Sequence, residues 1–591
     1  MRRFAGFIGS RLRSARVIAT ISFRNLIRQF RRNALLGLGI ALGMCILVLT
    51  SSFTNGLSDI LFNKVLVNMT GHIQLLRYEY TNRRSDVIRD KVRFMAAIKR
   101  NVEGVTAIEE NISAFGRSVG NGKTGLVALV GLRRDADFYD ETQLEQGDPR
   151  DIYRGGVFPG IILYKNAARD LNVGMNDIVT VRFETIYGQA QAPKFKVVGL
   201  IPSENMFMDM AAFVDMEVLR GLLNLRPEEC LGLTIITAYP ENSAKIIAQA
   251  NSLFAALTPQ AAGLKGTIRA GGRQAAADVF ALRVKTDPAA LAAAGLRFVK
   301  GDLKTLTEAE DGIVLTEKLA RELGADVGAR LRVSYLPSYD PQPVEKEAVV
   351  KGIVASVDSY AESTAFAHEE LFYQTYYRSL PREPAVASPG TPLFKALVPE
   401  WELLERSKDT DAAMKKLLHL GRQPWKGARV DVQTMFENAS MIVDFQRGIN
   451  TVSVVAVLIL FFVILIGVVN TMRMSIRERT REIGTNRAIG MQRSDVRSVF
   501  VLEIVFLTLA ACLLGILLAY GLMALLSTFT VELKDNPFSM FFVNKHLYFV
   551  PKVRTIVGNF ITIVLVALVI SFFTARRAAK LRAADALRHF E

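Results

Sequence analysis

Four stretches of the chain, 34–53, 452–472, 499–526 and 555–575, are apolar over the roughly 20 residues that a helix needs to cross a hydrocarbon core of about 30 Å. Nothing else in the sequence limits the fold as strongly, because a segment in lipid must satisfy its own backbone polar groups and so must be helical. The expected class is an α-helical membrane protein with four transmembrane helices. A large α+β extracytoplasmic domain containing a tandem repeat is expected between helices 1 and 2. The first span is too long for a signal-peptide core and no small-residue cleavage pattern follows it, so it is expected to stay as an anchor.

Charge orients these spans. Residues 1–33 carry nine Arg and no acid, 473–498 carry seven Arg against three acids, and 576–591 carry five basic residues against two acids. Together they account for the whole formal charge of +16. By the positive-inside rule these segments and both termini face the cytoplasm, and the domain between the first two spans lies outside. The basic balance is then explained by anionic lipid headgroups and excludes a nucleic-acid partner. Cys45 and Cys512 fall within spans and Cys230 stands alone outside, so no disulfide framework is expected within the chain.

The remaining organisation follows from composition and spacing. In 1–33, "ISFRNLIRQFRRN" sets Ile21, Leu26, Ile27 and Phe30 against Arg24, Arg28, Arg31 and Arg32, the pattern of an interfacial amphipathic helix. Residues 34–70 are expected to be the first span and a stalk, and 399–431 a return segment. A single helix of about 40 residues over 432–472, roughly 60 Å long, is expected as a stalk continuous with the second span. Residues 473–498 form a cytoplasmic loop, 499–526 and 555–575 the last two spans, 527–554 an external loop and 576–591 a cytoplasmic tail.

Outside the membrane, "GIILYKNAARDLNVGMNDIVTVRF" from Gly160 matches "GIVLTEKLARELGADVGARLRVSY" from Gly312, and "FKVVGLI" matches "AVVKGIV". Each copy reads strand, helix, turn and two strands, so 71–257 and 258–398 are expected to be two related α+β subdomains. The prolines at 381, 384, 389, 392 and 399 suggest an extended or mobile connection after the second copy.

Catalytic signals fail on inspection. "GRSVG" at 116–120 fits a nucleophile elbow, which needs a helix directly after the serine, but "NGKTG" turns the chain into an apolar strand. The same string lacks the first glycine of a phosphate loop, since Arg117 occupies its place. The five His are scattered without metal-ligand spacing and read as surface or loop residues. No catalytic residue, metal site or cofactor is expected on the chain.

The loop between the second and third spans is another matter. "IRERTREIG" and "RAIGMQRSDV" read as two short helices about a glycine turn, with Ile476, Ile483 and Ile489 as an apolar face. Glu478 with Arg481 and Arg479 with Glu482 form i,i+3 pairs. A topology anchor explains the arginines but not the interleaved acids and isoleucines; a docking element for a cytoplasmic protein explains both.

The segment "NTMRMSIRERTREIGTNRAIGMQRSDV", 470–496, closely resembles the signature of the FtsX-like permeases, ABC transporter subunits of the MacB and lipoprotein-releasing type. "RNLIRQFRRNALLGLGIALG", "GHIQL" and "ARRAAKLRAADALR" extend the resemblance. It implies that the loop is the coupling helix seated on an ATPase, with Arg477, Glu478, Arg479, Arg481, Glu482, Ile483, Gly484, Arg487, Ala488, Gly490 and Met491 as coupling residues. Glu503 is the intramembrane acid that the family commonly has. It is costly in lipid unless paired, and Arg493 or Arg497 is within reach. Gly39 and Gly43 form a G-x-x-x-G pair for close helix packing, against a second permease subunit, identical or paralogous.

What the resemblance implies is a non-catalytic permease of the bacterial inner membrane. ATP and Mg would be bound by a separate ABC ATPase dimer, and movement passed along the long helices to the periplasm. Lipoprotein release to a periplasmic carrier is the leading expectation. MacB-like efflux and an FtsX-like scaffold controlling a cell-wall hydrolase are the alternatives.

Overall fold

The computed structural model describes residues 17–28, 30–59 and 67–578, apart from 137, 139–143, 155, 204–207, 240–242, 284–295, 356–361, 378, 388–391, 408, 423, 530–541, 544 and 545. The terminal tail "AKLRAADALR" lies outside them. The chain forms two compact units, one built mainly from 1–64 and 441–591 and the other from 65–440.

In the first unit, α1 (Phe30–Asp59), α2 (Ser440–Glu478), α3 (Thr480–Ala488), α4 (Arg493–Thr528) and α5 (Val553–Ala578) follow in chain order. Among the described residues, Asn33–Asp59, Arg493–Thr528 and Val553–Arg576 are long and apolar enough to cross a membrane. The second expected span lies within α2, a continuous helix of 39 residues and so about 58 Å long. It begins later than expected, because Val432–Asn438 form a strand end and a one-turn 3-10 helix instead.

Close helix crossing here depends on glycine. A Cβ on Gly515 of α4 would come within 2.4 Å of the Ala41 carbonyl oxygen on α1, and one on Gly467 of α2 within 2.7 Å of Leu36. Gly43 is buried, whereas Gly39 has open space where its side chain would be. Gly39 thus shares its side of α1 with the exposed Leu35, Leu38, Leu42 and Ile46. Residues 17–28 are helical, as expected. Ser22 donates to the Val499 carbonyl at 3.1 Å and Leu26 packs on the helix core, while Ile21 and Ile27 stay exposed.

In the second unit, β1 (Ile73–Tyr80) and β2 (Val105–Asn111) belong to an open antiparallel sheet. The chain then leaves it for β3 (Ser113–Val119), β4 (Thr124–Leu132), β5 (Gly160–Tyr164), β6 (Ile178–Glu184), β7 (Lys194–Ile201) and β8 (Ala211–Asp215). It returns as β9 (Gly232–Thr237). A second excursion adds β10 (Ala261–Ala270), β11 (Arg273–Leu282), β12 (Gly312–Thr316), β13 (Arg330–Tyr335), β14 (Val344–Val354) and β15 (Thr364–His368). It ends with β16 (Gly427–Thr434).

The four longer strands of the open sheet have the order β16-β1-β9-β2, with Glu402–Leu403 added parallel to β16 and Arg84–Asp86 paired with β1. With helices Lys91–Asn101 after β1 and Ser243–Ala256 after β9, this is a split β-α-β arrangement. Its helices bury Phe94, Ile98, Ile246, Ala250 and Leu253. The expected first subdomain, 71–257, is therefore two bodies, since β3–β8 leave the sheet between its second and third strands.

Each excursion closes into a six-stranded barrel. In the first, β3 pairs β4, β4 pairs β8, β8 pairs β5, β5 pairs β7, β7 pairs β6, and β6 returns to β3. In the second, β10, β11, β15, β12, β14 and β13 pair in the same cycle, parallel and antiparallel steps included. The hairpin expected at "GRSVGNGKTG" joins β3 and β4, with Gly122 at φ +79°. The proline-punctuated segment is structured where described. Pro384–Ala387 pairs with β10, because proline tolerates a sheet edge, and Pro399 bridges Ala261.

Buried charges fasten the open sheet and its junction with the second excursion. Arg89 donates to Glu79 at 3.0 Å and Glu229 at 2.8 Å, and Arg77 donates to Glu79 at 2.8 Å. All four side chains are almost fully buried. Burial pushes the Glu79 carboxyl up, but Arg89 and Arg77 outweigh it and hold it below the usual carboxylate range. At the second barrel, Glu400 receives both Arg93 and the Tyr376 hydroxyl, and Arg93 lies over Trp401.

Candidate functional site

The residues expected to couple to an ATPase fall on one short, sharply bent segment of the first unit. The long helix α2 ends at Glu478. Arg479 leaves helical geometry, at φ −104° and ψ 12°, as the N-cap of α3, so a first break falls at an arginine, ahead of the glycine turn. After α3, Gly490 takes φ +110°, a conformation that costs glycine nothing. Gln492 and Asp495 then form a capping box that starts α4.

This geometry divides the expected site residues in two. Arg479, Ile483 and Gly484 are buried, and Met491 is partly buried against the helix core. Arg477, Glu478, Arg481, Glu482, Ala488 and Gly490 are exposed, and Arg487 is half-buried. Ile476 and Ile483 face inward as expected. Ile489 does not: it is 81 % exposed, because the helix ends at Ala488 and the turn swings it outward.

Arg479 holds the segment in place. Its guanidinium donates to the Glu503 carboxylate of α4 at 3.2 Å, with the two side chains 9 % and 6 % exposed. Sequence reasoning named Arg493 or Arg497 and missed Arg479; Arg497 lies over the Phe572 ring at 4.6 Å. The expected Arg479–Glu482 pair gives way because Arg479 points inward and Glu482 outward. Leaving one charge of such a pair unpaired costs about 3–5 kcal/mol.

The second unit has a matching anchor just before α2 begins. Lys416 meets Asp431 at 2.8 Å and Glu437 at 3.3 Å, and Arg406 meets Glu437 at 3.0 Å. Asp431 and Glu437 are almost fully buried. Glu437 also completes a capping box with Thr434. These acids on β16 and its 3-10 turn fix the chain three residues ahead of Ser440, and sequence reasoning missed them. Their cationic partners lie 15 to 31 residues away with no periodic signal to join them.

Among the described residues no group of His, Cys, Asp and Glu could hold a metal ion. His72 and His368 are buried rather than at the surface. His72 accepts the Thr237 N–H at 2.9 Å, and His368 caps a helix by accepting the Glu370 N–H. The Cys230 thiol is pushed up to about 12 by burial, which leaves it protonated and unreactive.

Residues 454–583 match the family described as FtsX-like permease C-terminal, and 34–229 match the MacB-like periplasmic core domain. The chain is 38% identical over 122 residues to the macrolide export ATP-binding/permease protein MacB of Agrobacterium fabrum, covering 21% of this chain and 17% of that protein. It is 32% identical over 186 residues to the pyoverdine export ATP-binding/permease protein PvdT of Pseudomonas savastanoi pv. phaseolicola, covering 30% and 25%. The chain thus spans a quarter or less of the length of these curated relatives. Among solved structures, the extracellular domain of the noncanonic ABC-type transporter YknZ from Gram-positive bacteria matches at 12% identity and TM-score 0.21, covering 31% of this chain and 92% of that one. The periplasmic region of MacB from Actinobacillus actinomycetemcomitans matches at 14% and 0.21, covering 32% and 86%. Scores this low carry no argument about the fold.

Proposed function

The chain belongs to the FtsX-like permeases that carry a MacB-like periplasmic core domain, and from that premise we propose that it is a mechanotransmitting subunit driven by a separate ATPase dimer. The single observation that supports this reading is the built geometry at 477–491. One face, carrying Arg477, Arg481, Glu482 and Ile489, is open. The other is fastened by Ile483 and the Arg479–Glu503 pair. An ATPase that grips the open face moves α3, and the buried ion pair obliges α4 to follow. The continuous helix α2 carries the same movement along its length, towards the anchor of Lys416, Asp431 and Glu437. ATP and Mg belong to the partner, and the permease pairs with a second copy or a paralogue. Four spans, cytoplasmic termini and a periplasmic second unit complete this reading, with the two barrels as tandem copies.

The cargo in this reading is a lipoprotein drawn from the inner membrane and handed to a periplasmic carrier. Export of a small molecule is the second reading, favoured by the macrolide and pyoverdine exporters among the matched relatives. The test is reconstitution of the chain with its ATPase. Glu482→Lys with Ile489→Asp, both on the open face, is expected to abolish ATP-driven activity while the helices stay folded. Full activity in an assembled double variant would overturn the proposal. Mass spectrometry of co-purifying material decides cargo: acylated lipoproteins support the first reading and a soluble small molecule the second.

A further inference from the structure

The two barrels match strand for strand, yet one outer face is neutralised and the other is not. Gly116 on β3 and Gly266 on β10 fix the correspondence. A Cβ on either would come within 2.5 Å of the Arg182 carbonyl oxygen or 2.3 Å of that of Ser334, so each glycine marks the same close approach. Arg117 opposite Arg182 in the first barrel therefore stands where the second has Thr267 opposite Ser334. Likewise Thr180 opposite Lys194 stands where the second has Arg332 opposite Glu347.

On the second barrel two arginines meet acids: Arg269 reaches Glu345 at 3.4 Å and Arg332 reaches Glu347 at 3.6 Å. On the first barrel Lys194 stands in the place of Glu347, and counting two residues back along each chain puts Ala192 in the place of Glu345. The arginines Arg117 and Arg182 face each other across a strand pair, an arrangement that like charges destabilise. Among the described residues neither meets a carboxylate within ion-pair distance, and the adjacent Glu184 is already paired with Arg83. Around them opens a cavity of about 520 Å³ lined by Phe115, Arg117, Arg182, Phe183, Glu184 and Ala190. Phe115 is 65 % exposed and Leu126, on the neighbouring strand, 59 %.

We propose that this face of the first barrel docks an acidic segment of a partner protein. Its carboxylates would supply Arg117 and Arg182 with the countercharge that the second barrel builds in, and its apolar side chains would cover Phe115 and Leu126. A protein segment fits better than a small carboxylate, because Leu126 and the exposed Val119 lie outside the cavity lining and stay in water around a small ligand. The proposal stands on the first barrel alone, whatever the chain transports, so it survives or fails separately from the coupling reading.

The test uses the purified full chain in mild detergent and a fluorescein-labelled peptide alternating Glu with Phe and Leu, read by anisotropy. Binding is expected to weaken by about tenfold or more when Gln replaces Glu in the peptide, when Arg117→Gln and Arg182→Gln are combined, or when salt is raised. Thr267→Ala with Ser334→Ala, the matched change on the second barrel, is expected to leave binding unchanged, and unaltered melting shows that each variant is folded. Equal affinity for the Gln peptide, an unaffected arginine variant, or no binding of the Glu peptide overturns the proposal. So does the chain binding phosphatidylglycerol vesicles through the same arginines while ignoring the peptide, which would make the face a membrane contact.

Discussion

Phe213 in the first barrel and Phe366 in the second occupy the same place on β8 and β15, and both side chains are buried. Two residues on, Asp215 and His368 each accept the backbone N–H of the residue two further along, starting a short helix. At exposed positions the correspondence ends: Phe115 and Arg117 on β3 are matched by Lys265 and Thr267 on β10. Buried positions and caps are constrained by close packing and by orphan backbone groups. An outer position answers only to solvent or a partner, so two barrels of one framework are free to carry unlike surfaces.

Changes at these matched buried positions should hurt both barrels alike. Phe213→Ala and Phe366→Ala are each expected to cost about 3–5 kcal/mol, with hydrogen exchange rising in the affected barrel. Similar loss of protection in both barrels from either change would show that they are one cooperative body.

The caps should separate the barrels by pH. Burial holds the His368 pKa below its ordinary value. The folded state therefore binds fewer protons than the unfolded one. The cap's contribution is full above about pH 6.5, the unfolded value, and declines as pH falls from there towards the folded pKa. Protonating the ring nitrogen removes an acceptor, and loss of a cap costs roughly 1 kcal/mol. His368→Asp should remove this acid sensitivity from the second barrel. An unchanged pH profile of its exchange protection would break the comparison.

The smallest effect is expected outside. Giving the first barrel the acids of the second, by Ala192→Glu with Lys194→Glu, should change stability by about 1 kcal/mol or less, since exposed pairs contribute little. Chemical denaturation measures it. A larger shift would mean that the outer faces matter to folding as well as to recognition.

The matched segments at 160 and 312 made a repeated strand-helix-strand unit legible, because each copy carries its own local pattern, but not that each copy closes into a barrel. The open sheet was not legible. β1 and β16 pair along their whole lengths, Ile73 with Thr434 through Tyr80 with Gly427, across both excursions, and nothing in either strand names its partner. The segment 477–491 was legible as a charged turn between apolar stretches, but its inner anchor was not. Arg493 and Arg497 are nearer Glu503 in sequence than Arg479 is, yet the fold brings Arg479 to the carboxylate across the turn that Gly490 makes.

By itself the sequence determined the apolar stretches, the charge of the segments between them, the matched segments at 160 and 312 and the FtsX-like signature. All of these are written in runs or periods of a few tens of residues. The tertiary structure decided which strands close the barrels, which face of 477–491 is fastened and which is open, and which arginines meet an acid. Each is a contact between distant positions, and its energy depends on burial and direction that exist only once the chain has folded.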